Sequence, residues 1–240
     1  HSRTTAAVTA CLWQYQEATG QTPNLDTEAM ILVAGDIGGI QDYLYHLASI
    51  GKSKAAARLR ARSHQIATLS RRASLMVLDA LELPMSNLLM AAGGRFYLLV
   101  PAGERTHHAM RATQSSLQDR LQESGGFQLS MRIVGVPITG SDLADVTRAY
   151  TELARQIREA KLSPRKDVLQ TPEGAWSEEA FLLSRPAAGE TLCPVCEEHT
   201  LPAGQDECTD CRRERELGRQ LLHAVSGPIL TSSRGFRYVA

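Results

Sequence analysis

The stretch NLLMAAGGRFYLLV, residues 87–100, sets two glycines between two short apolar runs. Paired glycines accept the backbone angles of a tight hairpin, so the pattern predicts antiparallel strands over 87–91 and 95–100, joined at Gly93-Gly94 and closed by Pro101. Upstream, MILVAGDI (30–37) is a continuous apolar run ending on Gly-Asp, as expected of a buried strand. Between these, Leu59, Ile66, Leu69, Ala73, Met76, Val77 and Ala80 recur at three- and four-residue intervals until Pro84, which predicts a helix. Residues 104–123 read as a polar-faced helix stopped by Gly125-Gly126, and 127–138 alternate like a strand.

The order is therefore strand, helix, strand, strand, helix, strand. It predicts an α+β fold of the ferredoxin-like, split βαβ kind, which is also the topology of polymerase and cyclase palms. Outside this unit, Ala6, Ala7, Ala10, Cys11, Leu12 and Tyr15 place a helix over residues 3–18 that GQTPNLDTE ends. Ser141 is the expected N-cap of a further helix carrying Leu143, Val146, Tyr150, Leu153 and Ile157 on one face. The resulting division is a helix over 1–20, a linker over 21–29, the palm-like unit over 30–162, a connecting loop over 163–189, a cysteine module over 190–213, and a helix with a terminal strand over 214–240.

With 240 residues the chain can bury one core and a small second module. Its 26 basic and 26 acidic residues cancel, so any polyanion site must be a local patch. The apolar runs are far too short to cross a bilayer, and HSRTTAAVTACLW has neither the charged start nor the apolar core of a signal peptide. The expectation is a cytoplasmic piece of a longer chain with no membrane partner, since the sequence begins without Met and inside a helical pattern.

The chemistry-bearing motif with the most specific spacing is CPVCEEHTLPAGQDECTDC. Each Cys-x-x-Cys turn aims two thiolates at one point, and Cys193, Cys196, Cys208 and Cys211 together predict a closed, structural zinc site. His199 is an alternative fourth ligand. A thioredoxin-type redox pair is the competing reading, disfavoured because two pairs share one short loop. The remaining Cys11 reads as a small core residue.

Lys54, Arg58 and Arg62 fall four residues apart and would form one basic stripe on a helix, with no acid nearby in sequence. The stripe reads either as a solvated face or as a contact to nucleotide or nucleic-acid phosphates. IGKSK (50–54) lacks the upstream glycine of a phosphate-binding P-loop, having His46 there instead. In GDIGGIQ, Asp36 ends the first strand where palms carry a metal-binding acid, but the hairpin that would supply a partner acid offers Arg95. Asp36 therefore pairs with Arg95, satisfies turn amides, or holds a cation.

GDIGGIQDYLYHLA, KAAARLRARSHQIATLSRRA, NLLMAAGGRFYLLVPA, KLSPRKDVLQTPEGAW and the paired Cys-x-x-Cys motifs, in this order, resemble the first palm of the large subunit of type III CRISPR effector complexes. The resemblance runs over about residues 30–225. The opening helix is similar to the last helix of that family's His-Asp nuclease domain, of whose motif His1 would be the only trace. The resemblance implies two facing palms that bind ATP with Mg2+ or Mn2+ and make cyclic oligoadenylates when target RNA is bound, in subunits that also cleave single-stranded DNA. The catalytic Gly-Gly-Asp-Asp hairpin lies on the second palm; the first is a degenerate wall. Asp36, Gly38, Gly39, Gln41, Gly93 and Gly94 would line its nucleotide side, and this chain alone would be inactive. Gly38 departs from the family, which often has Ser there. The implied partners are other effector subunits, guide RNA and target RNA. The alternative is a non-enzymatic scaffold or a nucleic-acid-binding zinc module holding neighbouring subunits and guide RNA.

Overall fold

The structure is a computed structural model that describes residues 2–45, 52–123, 129–163, 175–176, 191–197 and 199–226. The expected connecting loop falls almost entirely outside these residues, and the expected terminal strand wholly so.

Strands β1 (Met30–Gly38), β2 (Leu88–Ala92), β3 (Arg95–Pro101) and β4 (Ser130–Ile138) form one antiparallel sheet in the order β2-β3-β1-β4. All nine residues of β1 are buried, because the strand is central and both its faces are covered. Side chains alternate across a strand, so β1 feeds two cores. Ile31, Val33 and Ile37 pack with Ile66, Ala73, Val77 and Leu78 of α3 (Lys52–Ala80) and with Ala109, Met110 and Leu117 of α4 (Glu104–Glu123). Met30, Leu32 and Ala34 pack with Ala7 and Cys11 of α1 (Ser2–Thr19) and with Ala149, Leu153 and Ile157 of α5 (Thr147–Lys161).

Gly93 and Gly94 make the tight turn of the β2–β3 hairpin with φ of 59° and 85°, as a two-residue turn between twisted strands requires. A Cβ on Gly94 would stand 2.5 Å from Ile40 Cδ1, so the hairpin tip sits against the short helix α2 (Ile40–Tyr45). The outer strand β4 is blunted from the side: Gln118 Oε1 accepts the Met131 amide at 3.2 Å and Gln114 Oε1 accepts that of Ile133 at 2.9 Å.

Ser141 does not cap α5. Its amide donates to Leu25 O at 2.9 Å and its hydroxyl faces Asp26, and residues Ser141–Ala144 form a 3-10 turn instead. The helix starts at Thr147, whose amide donates to Asp145 Oδ1 at 2.9 Å. The buried face is consequently Ala149, Leu153 and Ile157, while Leu143 and Tyr150 stay partly exposed. The last helix among the described residues, α6 (Thr209–Ser226), runs across the boundary expected at residue 213 and lies along the first half of α3.

Candidate functional site

Asp36 occupies the end of β1 nearest the glycine hairpin, on the face covered by α1 and α5. Its cross-strand neighbours are Arg95 on β3 and Arg132 on β4. Arg95 Nε donates to Asp36 Oδ1 at 2.9 Å, and the Lys161 ammonium, from the last turn of α5, pairs with Oδ2. Arg132 sends its guanidinium to Ser163 O at 2.8 Å, just beyond α5. The hydrogen bond to Asp36 is the main cause that holds the Arg95 pKa above its ordinary value. The expected ion pair of Asp36 with Arg95 is present.

The charge balance of this cluster decides its chemistry. One carboxylate, 5% exposed, stands among three cations, and the Arg95 and Lys161 side chains remain 43% and 37% exposed. Three nearby positive charges repel a divalent cation and attract a phosphate or carboxylate. Lys161 and Arg132 carry no motif and lie far from Asp36 in sequence; only the register of β4 and the length of α5 bring them in.

Around this cluster, Gly38 is buried opposite Ser130, and the Ser130 hydroxyl lies 2.8 Å from where a Cβ on residue 38 would stand. Gly39, Gln41 and Gly93 are exposed and Gly94 is buried. The Ile37 amide donates to Gly94 O at 2.9 Å, tying the GDIGGIQ turn to the hairpin tip. Asp36, Gly38, Gly39, Gln41, Gly93 and Gly94 thus fall at one end of the sheet.

The four expected cysteines converge. All are buried and unbridged, with Sγ atoms within 4.8 Å of one another. Tetrahedral Zn–S bonds of about 2.3 Å place sulfurs roughly 3.8 Å apart, and Cys196 and Cys208 Sγ are separated by 3.8 Å. Backbone amides already point at the sulfurs: Cys208 N–H to Cys193 Sγ at 3.2 Å and Cys211 N–H to Cys208 Sγ at 3.5 Å. This donor set fits a structural zinc ion. Without a cation, burial pushes the Cys208 thiol up to about 11, whereas a bound cation favours the thiolates. His199 stands outside the set, with Nδ1 3.5 Å from Cys196 Sγ and Nε2 3.7 Å from Asp210.

The basic stripe of α3 is corrected by the structure. Arg58 is 2% exposed and binds Glu207, which also takes Arg215 at 2.5 Å; Arg58 Nε reaches Cys211 O at 3.5 Å. Arg62 is also buried, with Nε 3.0 and 3.1 Å from the two carboxylate oxygens of Glu214. Both guanidinium groups are therefore taken up by acids some 150 residues away and are buried from solvent. Lys54 lies on α3, and its side chain is outside the described residues.

Sheet, covering helices and thiol cluster together define an α+β protein with an attached four-cysteine module. The family model "Csm1 subunit domain B" matches residues 29–171, and the chain belongs to that family, within the Cas10/Csm1 large subunit of type III-A CRISPR complexes. The Cas10/Csm1 single-strand-specific deoxyribonuclease of Mycobacterium tuberculosis is 30% identical over 100% of this chain and 31% of its own length. That of Enterococcus italicus is 30% identical over 69% of this chain and 23% of its own. The chain thus spans about a third or less of these relatives. Among solved structures, the apo Csm1–Csm4 cassette aligns with a TM-score of 0.60 at 21% identity, over 69% of this chain and 23% of that one. The cassette in complex with pppApA gives 0.61 at 19% identity, over 76% and 26%. At these identities the likeness concerns the fold.

Proposed function

We propose that the chain is a ferredoxin-like, non-catalytic palm that forms one wall of a nucleotide pocket in the large subunit of a type III CRISPR effector. The observation that carries this reading is the Asp36 cluster. The strand end where a palm would hold metal-binding acids instead presents Arg95, Arg132 and Lys161 around one carboxylate. Such a wall accepts the phosphates of ATP but holds no cation for phosphoryl transfer, which requires acids on adjacent elements. The strand order β2-β3-β1-β4, with helical crossings after β1 and β3, supports the palm assignment.

The exposed backbone of Gly39 and Gly93, beside Gln41, is the proposed contact for the nucleotide, with Asp36 anchoring the cations. The relatives' cassette structures with AMPPNP and with pppApA favour adenine nucleotides as the ligand class. ATP with Mg2+ or Mn2+ would be used only together with a second, catalytic palm; this chain alone would synthesise no oligoadenylate. Zinc at Cys193, Cys196, Cys208 and Cys211 would be structural. Other effector subunits, of which Csm4 is the one named for the relatives, together with guide and target RNA, are the proposed partners. The test is ATP titration into a fusion of this chain with a second palm: Arg95→Met and Lys161→Met together should weaken binding, and unchanged binding refutes the reading. The buried arginines favour a secondary scaffold role for the zinc module, because they bind it to the sheet domain and not to RNA.

A further inference from the structure

Helix α2 follows directly on the GDIGGIQ turn, has only six residues, and buries none of them fully. A helix that short is not stable by itself, so something else must hold it. Ile40, Tyr43 and Leu44 pack against the core beneath it, and Tyr43 is also gripped by Arg62. One guanidinium group donates to Tyr43 O, lies 4.4 Å from the centre of the Tyr43 ring, and binds both oxygens of Glu214. The Tyr43 hydroxyl closes the network: its one proton is directed to Gln65 Oε1 at 2.8 Å, with Glu214 Oε1 as a second acceptor at 3.3 Å.

Glu214 belongs to α6, which lies along α3 and is tied at its N-terminal end to the thiol centre. Cys211 lies in its first turn, Cys208 immediately precedes it, and Glu207 beside Cys208 locks onto Arg58. Among the described residues, the module's core apart from the cysteines is Val195 with Leu201 packed against it, so ligand convergence more than apolar burial orders the loop. A continuous set of contacts therefore runs from the cysteines through α6 to Glu214, Arg62 and Tyr43, ending beside the turn at Gly39.

We propose that Arg62 is the positioning residue of the nucleotide-facing turn, and that metal loading of the four-cysteine centre sets the order of α2 through it. The proposal rests on the reading of that turn as a nucleotide contact for its purpose, but its physical content, a metal-dependent α2, stands without nucleotide. Loss of metal frees the loop and α6, withdraws Glu214, and leaves Arg62 without the carboxylate that orients it on Tyr43. The site would then be assembled only in metal-loaded chains.

The test is amide hydrogen exchange on the 240-residue chain in the absence of nucleotide, zinc-loaded or stripped with a chelator, using the amides of β1 and β3 as internal standards. Stripping should speed exchange across residues 41–45 on the order of tenfold while β1 and β3 hold. Arg62→Met should do the same in zinc-loaded protein without releasing metal, and chelator should then add little at α2, since both act through one link. Glu214→Gln, which keeps the side chain's shape, is the second variant should Arg62→Met not fold. Unchanged exchange at 41–45 on stripping, or independent additive effects of chelator and variant, overturns the proposal. Because no nucleotide is present, its failure is separable from failure of ATP binding by the palm fusion.

Discussion

Asp36 and Arg95 face each other across β1 and β3, with Nε 2.9 Å from Oδ1, at the strand end where a metal-dependent palm would place two acids. The carboxylate is nearly buried and the guanidinium half exposed, so the pair is anchored on one side and open on the other. Asp36→Asn would leave Arg95 and Lys161 without the carboxylate they share, beside Arg132. Urea unfolding should show a loss of about 1–3 kcal/mol, reduced by added salt because two of the cations are partly exposed. A stability equal to the parent's would mean that the cluster is not coupled through Asp36.

Elemental analysis of reduced protein should find one zinc per chain. Structural zinc contributes on the order of 10 kcal/mol of local folding free energy. Cys208→Ser should therefore release the metal and abolish exchange protection over residues 191–211, while the sheet keeps its own. Zinc retained at one per chain in this variant would point to His199 as a fourth ligand.

The seam between α3 and α6 gives an ordering of effects. Glu207 serves two arginines, Arg58 and Arg215, whereas Arg58 is served mainly by Glu207. Removing one partner of a buried ion pair costs about 3–5 kcal/mol because the other charge is left uncompensated. Glu207→Gln strands two cations and should destabilise more than Arg58→Met, and the double variant should recover part of the loss. Gly218 adds a steric test, since a Cβ there would stand 1.7 Å from Ala57 O. Gly218→Ala should part the two helices, read as a lower unfolding midpoint.

The two hairpin glycines separate stability from ligand contact. Gly94→Ala puts a methyl into Ile40 in a left-handed backbone, and should cost about 1–3 kcal/mol in unfolding free energy. Gly93 is exposed, with nothing within 4 Å of a Cβ, and Asn-Gly is a favoured pair for this turn. Gly93→Asn should fold as well as the parent yet lower ATP affinity of the palm fusion by crowding the approach to the backbone. Equal ATP affinity would remove Gly93 from the site.

These sites were unequally legible in the sequence. Local patterns carried the hairpin, the doubly buried β1, the bounds of α4 and the four cysteines, because periodicity, glycine pairs and Cys-x-x-Cys spacing are short-range signals. The stripe at Arg58 and Arg62 was misread because its neutralising acids lie some 150 residues away, Glu207 just before α6 and Glu214 on it. Lys161 escaped notice for the same reason: a lysine in a last helical turn is ordinary until the sheet register sets it over Asp36. Ser141 looked like a helix cap because nothing local reveals that Leu25 and Asp26 compete for it.

The central claim is that the Asp36 cluster is an anion-accepting wall and not a metal site. It is tested most directly by ATP titration into the chain fused to a second palm, with and without Arg95→Met plus Lys161→Met, each in Mg2+ and in chelator. Two partly exposed cations contribute about 0.5–1.5 kcal/mol each to a phosphate contact, so the double variant should bind ATP on the order of tenfold more weakly or worse. The same factor should appear with and without Mg2+, since these residues touch phosphate and not cation. Undiminished affinity in the double variant, or a loss that vanishes when Mg2+ is removed, would contradict the account.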